Sequence, residues 1–251
     1  MNFSCFNRKK SITIGEHKLK LDLSNPHEQR YYDSIKNDDY FLAKSLISKG
    51  DYVLDLGANI GFTALLYLSF GAAKVYAVEP LPQLADRIKK IKTKGINIFN
   101  CAVSDHMGKA EIFLSDSHNQ GHSLNSEWPK KWKEVFSKND RTEVDVQTLD
   151  AMFPTEIFNF IKIDIEGSET KAIKGGANFF RRNTDAVVQI EIYDWQLAET
   201  HEALSSYYKY VYLPVMSGNI IQFEKIDPGH FLGNHKFSGP PNYIYTNNTI
   251  S

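Results

Sequence analysis

Residues 53–61 read Val-Leu-Asp-Leu-Gly-Ala-Asn-Ile-Gly, and residues 75–80 read Val-Tyr-Ala-Val-Glu-Pro. The first stretch is an apolar run carrying an acid, Asp55, that opens into a glycine loop and a helical segment. The second is an apolar run that ends at another acid, Glu79. Such a pair is the layout of a nucleoside-binding α/β domain, in which the first strand and its loop meet the end of the second strand.

The glycine spacing narrows the ligand. Dinucleotide loops use Gly-x-Gly-x-x-Gly so that backbone amides approach a pyrophosphate. Here Gly57 and Gly61 are four apart, and Asn59 takes the place of the second glycine. The loop can still turn sharply with positive φ, but it suits two phosphates less well. Asp-x-Gly-x-x-x-Gly resembles the first motif of S-adenosylmethionine-dependent methyltransferases. That resemblance implies that the loop wraps the methionine half of the cofactor and that Glu79 takes the ribose hydroxyls. A carboxylate suits two vicinal donors physically. A purely structural strand-to-helix turn is the alternative reading.

The 251 residues allow one large domain or two small ones. A hydrophobic share of 42% and a charged share of 24% are ordinary for a globular chain. The formal net charge of -1 gives no bulk electrostatic case for a nucleic-acid partner. The short cluster Arg8-Lys9-Lys10 reads as a solvated terminus. No apolar run reaches the roughly 18 residues of a membrane span, and no apolar core of a signal peptide opens the chain, so the expected location is cytoplasmic. Cys5 and Cys101 provide neither a disulfide framework nor metal-ligand spacing.

Residues 11–23 alternate around Gly15-Glu16 as a hairpin, and 27–49 carry helical spacing closed by Gly50, together an N-terminal cap over residues 1–49. Strands over 52–56, 74–79 and 96–101 then alternate with helices over 62–70 and 82–94. Residues 109–115 and 141–149 read as inserted antiparallel strands. The polar stretch 115–140 between them, with His118, Gly121, His122, Trp128 and Trp132, is either a substrate lid or a surface excursion. Alternation resumes with strands over 158–165 and 186–193, a helix over 195–205, and last strands over 207–215 and 243–245, with 220–225 able to form another. The expected fold is a single domain over 1–251: α/β, doubly wound, with a mainly parallel seven-stranded sheet.

Residues 161–169 read Ile-Lys-Ile-Asp-Ile-Glu-Gly-Ser-Glu. Strand alternation puts the three isoleucines on one face and Lys162, Asp164 and Glu166 on the other, where they need ligands, partners or water. With Asp55–Gly61, Val78-Glu79-Pro80, Ala102-Val103-Ser104-Asp105, Gly175-Gly176 and Glu191-Ile192, this stretch resembles the FkbM-type methyltransferases over about residues 50–195. The resemblance implies a Rossmann-like class I methyltransferase with S-adenosyl-L-methionine as cofactor. It implies a cofactor set of Asp55, Gly57, Ala58, Asn59, Gly61, Glu79, Pro80, Ala102, Val103 and Asp164. It also implies O-methylation of a hydroxyl on a sugar or glycan, a glycolipid or a polyketide product. Strand 5 departs from the family by ending in Tyr193, where a histidine is expected.

Methyl transfer to a weakly acidic hydroxyl benefits from a proton acceptor. Asp164 is the first candidate, Glu166 and Glu191 the next, and His122 the histidine to test. The same three carboxylates form an oxygen set that suits Mg²⁺, or else bind Lys162 and backbone amides; spacing leaves both open. Trp128, Trp132, Tyr193 and Trp195 are candidates to stack on a sugar. The rival readings are a nicotinamide-dependent oxidoreductase, a lipid or natural-product hydroxyl as acceptor, and a non-catalytic binding protein.

Overall fold

The structure is a computed structural model describing residues 8–116, 119–136, 138, 140–227 and 241–250; Cys5 and His118, named above, lie outside these. The chain opens with the expected hairpin, β1 (Lys9–Ile14) and β2 (His17–Asp22), turned at Gly15 with φ +57°. Lys9 and Lys10 belong to β1 rather than to a loose terminus.

The single helix expected over 27–49 is two, α1 (Pro26–Asp33) and α2 (Asp38–Leu46). Asparagine capping explains the break. The Asn25 side chain accepts from the amides of His27 and Glu28, the chain turns extended at Ser34, and Asn37 accepts from Tyr40 N–H at 3.0 Å to start again.

Then follow β3 (Tyr52–Leu56), α3 (Phe62–Ser69), β4 (Lys74–Val78), α4 (Pro82–Lys89), β5 (Ile96–Phe99), β6 (Ala102–Val103), β7 (Gly108–Phe113), α5 (Trp128–Lys131) and β8 (Arg141–Gln147). The chain continues through α6 (Leu149–Met152), β9 (Phe160–Ile163), α7 (Glu169–Lys174), α8 (Ala177–Arg182), β10 (Val187–Glu191) and a 3-10 turn at Asp194–Gln196. It closes with α9 (Leu197–Ser205), β11 (Tyr210–Ser217), β12 (Ile220–Ile226) and β13 (Asn242–Thr246).

The main sheet runs β12-β11-β13-β10-β9-β3-β4-β5. Strands β10, β9, β3, β4 and β5 are parallel neighbours, and β13 runs against both β10 and β11. This is the expected doubly wound sheet with an eighth strand: β12 folds back on β11 along its whole length and adds an edge. The inserted antiparallel strands form their own small sheet, β6-β8-β7. From β3 the chain builds outward to β4 and β5, then returns to β9 and β10 on the other side. The carboxyl ends of β3 and β9 therefore border the crevice where open α/β sheets bind ligands.

The sheet is buried on both sides. One face packs Tyr76, Phe99, Phe153, Phe158 and Phe179 into a cluster of mostly edge-to-face rings. The other buries Val53, Val75, Ala77 and Phe160 against α3, with Tyr67 lying across Phe160. The start of β9 is wholly apolar and central, as a parallel strand covered on both faces should be.

Two backbones touch where α7 meets the end of β6. A Cβ on Gly175 would lie 2.1 Å from the carbonyl oxygen of Ser104, and main chain cannot yield as a flexible side chain can. Gly175→Ala is expected to cost about 1–3 kcal/mol through this overlap, seen as a lowered thermal midpoint.

Candidate functional site

At the carboxyl ends of the central strands lies a cleft of about 730 Å³. Its first wall is the glycine loop. Gly57 has φ +83°, and a Cβ there would sit 1.9 Å from the carbonyl oxygen of Asp164, so the loops after β3 and β9 approach as only glycine permits. The amides of Gly57 and Ala58 both donate to Val78 carbonyl at 3.0 Å, tying the loop to β4. Asn59 is left-handed at φ +49°, and Gly61, at φ +85°, opens α3.

Glu79, at the end of β4, is buried. One carboxylate oxygen accepts Asn59 N–H and the other Leu81 N–H, each at 2.9 Å. Burial pushes its carboxyl up to about 8 against the pull of those two amides. Pro80, Ala102 and Val103 line the same end of the cleft.

Asp55 and Gly61, expected at the ligand, stand behind the wall instead. Asp55 is fully buried at the end of β3, where one oxygen accepts from Thr63 Oγ1 at 2.7 Å and the other has no hydrogen-bond partner among the described residues. Burial raises its carboxyl above the ordinary value, opposed by Lys162 and Thr63. Gly61 lies against Ile88 and Ile91.

The second wall is the stretch after β9. Strand pairing stops at Ile163, earlier than the alternation suggested. Of the three charged residues expected on one strand face, only Lys162 is in the strand, and it is 4% exposed. Its ammonium donates to Asp164 Oδ2 at 2.8 Å. Burial works to lower this lysine, but Asp164, Asp55 and Asp39 hold it above its ordinary value. Burial likewise works to raise Asp164, yet Lys162 and hydrogen bonds from Glu191 and Lys162 keep it below the usual carboxylate range.

Glu166 turns the chain at φ +54° and accepts from the Tyr193 hydroxyl at 3.1 Å. Burial, then Asp164 and Glu169, push it up to about 8, with Tyr193 opposing. Glu191 is driven well above its ordinary value by burial and then by the charges of Asp164 and Glu166. One oxygen each from Asp164, Glu166 and Glu191 lies within 4.8 Å of the others. Lys162 and Tyr193 already engage two of them, supplying compensation that a cation would otherwise bring. Behind the turn, Glu169 accepts the amides of Ile165 (3.0 Å) and Gly167 (3.1 Å) and fixes its shape.

The third wall is the segment between β7 and β8. Ser123 Oγ donates to Glu166 carbonyl at 2.5 Å, and Asn125 Nδ2 to Gly167 carbonyl at 3.3 Å. Trp128 is buried and meets Tyr193 edge-on at 4.7 Å, while Tyr193 stacks on Trp195 at 4.7 Å. A Cβ on Gly167 would strike the Trp128 ring at 2.4 Å. Trp128 is thus a packing residue, whereas Trp132 (39% exposed) and Trp195 (44%) present ring surface. His122 lines the cleft, and its Nδ1 accepts Ser115 N–H at 2.9 Å.

Residues that the motifs did not flag complete the lining: His27, Arg30, Tyr31, Asn37, Asp38 and Asp39 from the cap, with Asn119 and Gln120. Six carboxylates (Asp38, Asp39, Glu79, Asp164, Glu166, Glu191) line the cleft against Arg30 and Lys162. Burial holds Glu79, Glu166 and Glu191 toward the protonated form, and a cationic ligand in the cleft would favour their ionised form.

Strand order and cleft together define a class I methyltransferase fold, with the reversed β13 slotted between β10 and β11. The profile of the methyltransferase FkbM domain matches residues 55–214, and the chain belongs to that family. No curated protein matches the sequence.

Solved structures similar to the chain include precorrin-6y C5,15-methyltransferase from Geobacter metallireducens, with 13% identity, TM-score 0.42, and 82% of this chain and 84% of that one covered. Pyrococcus horikoshii TYW2 in complex with MeSAdo is similar at 11% identity and TM-score 0.43, over 96% of this chain and 73% of that one. Ribosomal protein L11 methylase from Lactobacillus delbrueckii subsp. bulgaricus has 13% identity and TM-score 0.42, over 74% of each chain.

The family's cofactor is S-adenosylmethionine, which sets the nicotinamide reading aside. The residues present fit it: the close backbone edge at Gly57, the amide-anchored Glu79 and the carboxyls that line the cleft all suit a nucleoside bearing a positive sulfur. Among the described residues no helix is long and apolar enough to cross a membrane.

The buried acids set a pH dependence. Asp39 is pushed up to about 6, Glu169 to about 7, and Glu79 and Glu166 to about 8, each chiefly by burial. A carboxyl raised in the folded state binds its proton more tightly than the unfolded chain does, so folding is favoured when it is protonated. Stability of the ligand-free protein should therefore fall as pH rises from about 5 to about 8 and level off above. Urea midpoints across that range test this, and Glu79→Gln should flatten part of the slope.

Proposed function

We propose that the protein transfers a methyl group from S-adenosylmethionine to a hydroxyl of a sugar or glycan. The observation that carries this reading is Glu166, a carboxyl raised to about 8 that accepts from the Tyr193 hydroxyl in a cleft also lined by Trp132. When bound, S-adenosylmethionine supplies an electrophilic methyl group on a sulfonium leaving group.

The chain's residues supply position and a proton acceptor. Glu79 would hold the ribose hydroxyls, and the glycine loop from Gly57 to Asn59 would form the backbone wall beside them. Glu166 is placed to take the proton of the acceptor hydroxyl, and the donor would supply the methyl group and keep the electron pair of its carbon–sulfur bond. An acceptor of protons works best with an affinity matched to the working pH. That criterion moves the assignment from Asp164, held ionised by Lys162, to Glu166. Asp164 and Glu191 then orient the hydroxyl.

His122 is a poor base in this arrangement. With Nδ1 accepting from Ser115, the neutral ring carries its proton on Nε2 and acts as a donor. The segment over 115–140 serves as the lid, since its side chains bond across the cleft to the turn after β9. Trp132, half-exposed and lining the cleft, offers the aromatic surface on which a sugar ring's apolar face packs, whereas the Trp195 ring is taken up by Tyr193 and the Lys131 ammonium.

The test is mass spectrometry of a panel of neutral glycans, lipids and nucleic acids incubated with protein and methyl donor. A gain of one methylene unit on a glycan is expected; a gain confined to another class overturns the acceptor assignment. Glu166→Gln should lower turnover about 10²–10⁴-fold, with affinity for S-adenosylhomocysteine kept within a few fold. Undiminished turnover removes Glu166 from its role.

A further inference from the structure

The N-terminal cap precedes the stretch matched by the family, yet one of its side chains reaches the nucleoside end of the cleft through a short chain of hydrogen bonds. Glu28 of α1 is 1% exposed. One oxygen accepts from Arg87 at 2.7 Å and from Asn119 Nδ2 at 2.9 Å. The other accepts from Arg87 at 2.6 Å and from Asp22 N–H at 2.7 Å. Four hydrogen bonds, two of them from one bidentate guanidinium, immobilise this carboxylate. It thereby joins the end of β2, helix α4 and the segment after β7.

Asn119 carries the constraint onward. Its main-chain carbonyl accepts from Asn59 Nδ2 at 2.5 Å, and Asn59 N–H donates to Glu79 at 2.9 Å. The neighbouring Gln120 donates to the Tyr31 hydroxyl at 2.7 Å, and Tyr31 stacks on Phe62, the first residue of α3, at 3.9 Å. Asn59 sits in left-handed backbone that a non-glycine residue adopts at a cost, so the side-chain anchor matters to holding it there. The bond from Asn119 is not needed to satisfy Glu28 electrically, because Arg87 already does so. What it adds is a fixed position for the carbonyl that grips Asn59.

We propose that Glu28 is a positioning residue for the cofactor: through Asn119 it fixes Asn59, and so the carboxylate of Glu79, in the geometry that receives the nucleoside. The proposal rests on reading the cleft as the S-adenosylmethionine site. The cap is then part of the cofactor clamp and not only a cover.

Calorimetry with S-adenosylhomocysteine tests it on the full chain, as wild type, Asn119→Ala, Glu28→Gln and the double variant, with urea midpoints of each ligand-free protein. Asn119→Ala keeps the main-chain carbonyl and removes its anchor to Glu28 together with an amide that lines the cleft, and the double variant separates the two effects. Asn119→Ala should weaken binding about tenfold, or about 1.4 kcal/mol, with its urea midpoint unchanged. Glu28→Gln trades one acceptor oxygen for an amide, so it should weaken binding by no more than Asn119→Ala and lower the midpoint, since Arg87 loses its charged partner. The double variant should bind no worse than Asn119→Ala, in which the bond the two residues share is already gone. Should Glu28→Gln fail to fold, Asn119→Ala decides alone. Binding by Asn119→Ala within twofold of wild type, or losses that add, overturns the clamp and leaves the cofactor site standing. A wild-type protein that binds no S-adenosylhomocysteine overturns both.

Discussion

The contact on which the site depends is between two backbones. The loop after β3 passes so near the turn after β9 that the carbonyl of Asp164 occupies the space of a side chain at Gly57. Parallel pairing of β3 with β9 sets the register, and glycine's lack of a Cβ lets the loops close on one another. From this one approach it follows that the nucleoside wall and the carboxylate wall belong to the same cleft. The Lys162–Asp164 pair locks the approach from within the sheet. A buried ammonium is tolerated there because Asp164 lies 2.8 Å away and Asp55 and Asp39 add to its field.

The cleft's charge follows from the same geometry. Converging strand ends bring carboxylates together faster than the chain supplies cations to balance them. Desolvation then pushes Glu79, Glu166 and Glu191 toward the protonated form, while Asp164, next to the lysine, stays ionised. Neighbouring acids of one residue type thus differ in proton affinity because their surroundings differ, and this is what separates a proton acceptor from an orienting group.

What the sequence disclosed was local. The glycine loop, Glu79 and the order of strands could be read because turn chemistry and alternation act over a few residues. Ala102, Val103 and the carboxylates 164, 166 and 191 line one cleft because they lie at or just beyond the carboxyl ends of β5, β9 and β10. Asp55 and Gly61 were assigned to the ligand but stand one layer back, since a motif gives spacing and not which atom faces the void. The two cap helices were merged because apolar spacing continues across Ser34, whereas the caps Asn25 and Asn37 mark the break. Glu28, Arg30, Asp39 and Asn119 were not legible at all: their roles arise from segments far apart in sequence. Tyr193, which stood out as a departure from the family, proves to donate its hydroxyl to Glu166.

The eighth strand has a consequence of another kind. By folding β12 back over β11, the chain moves the flank of its sheet outward to a strand carrying Gln222, Glu224 and Lys225 on its exposed positions. The opposite flank, β5, spans only four residues. Short or charged borders give a stray extended segment little to pair with, so the molecule guards against lateral self-association with features that take no part in its chemistry.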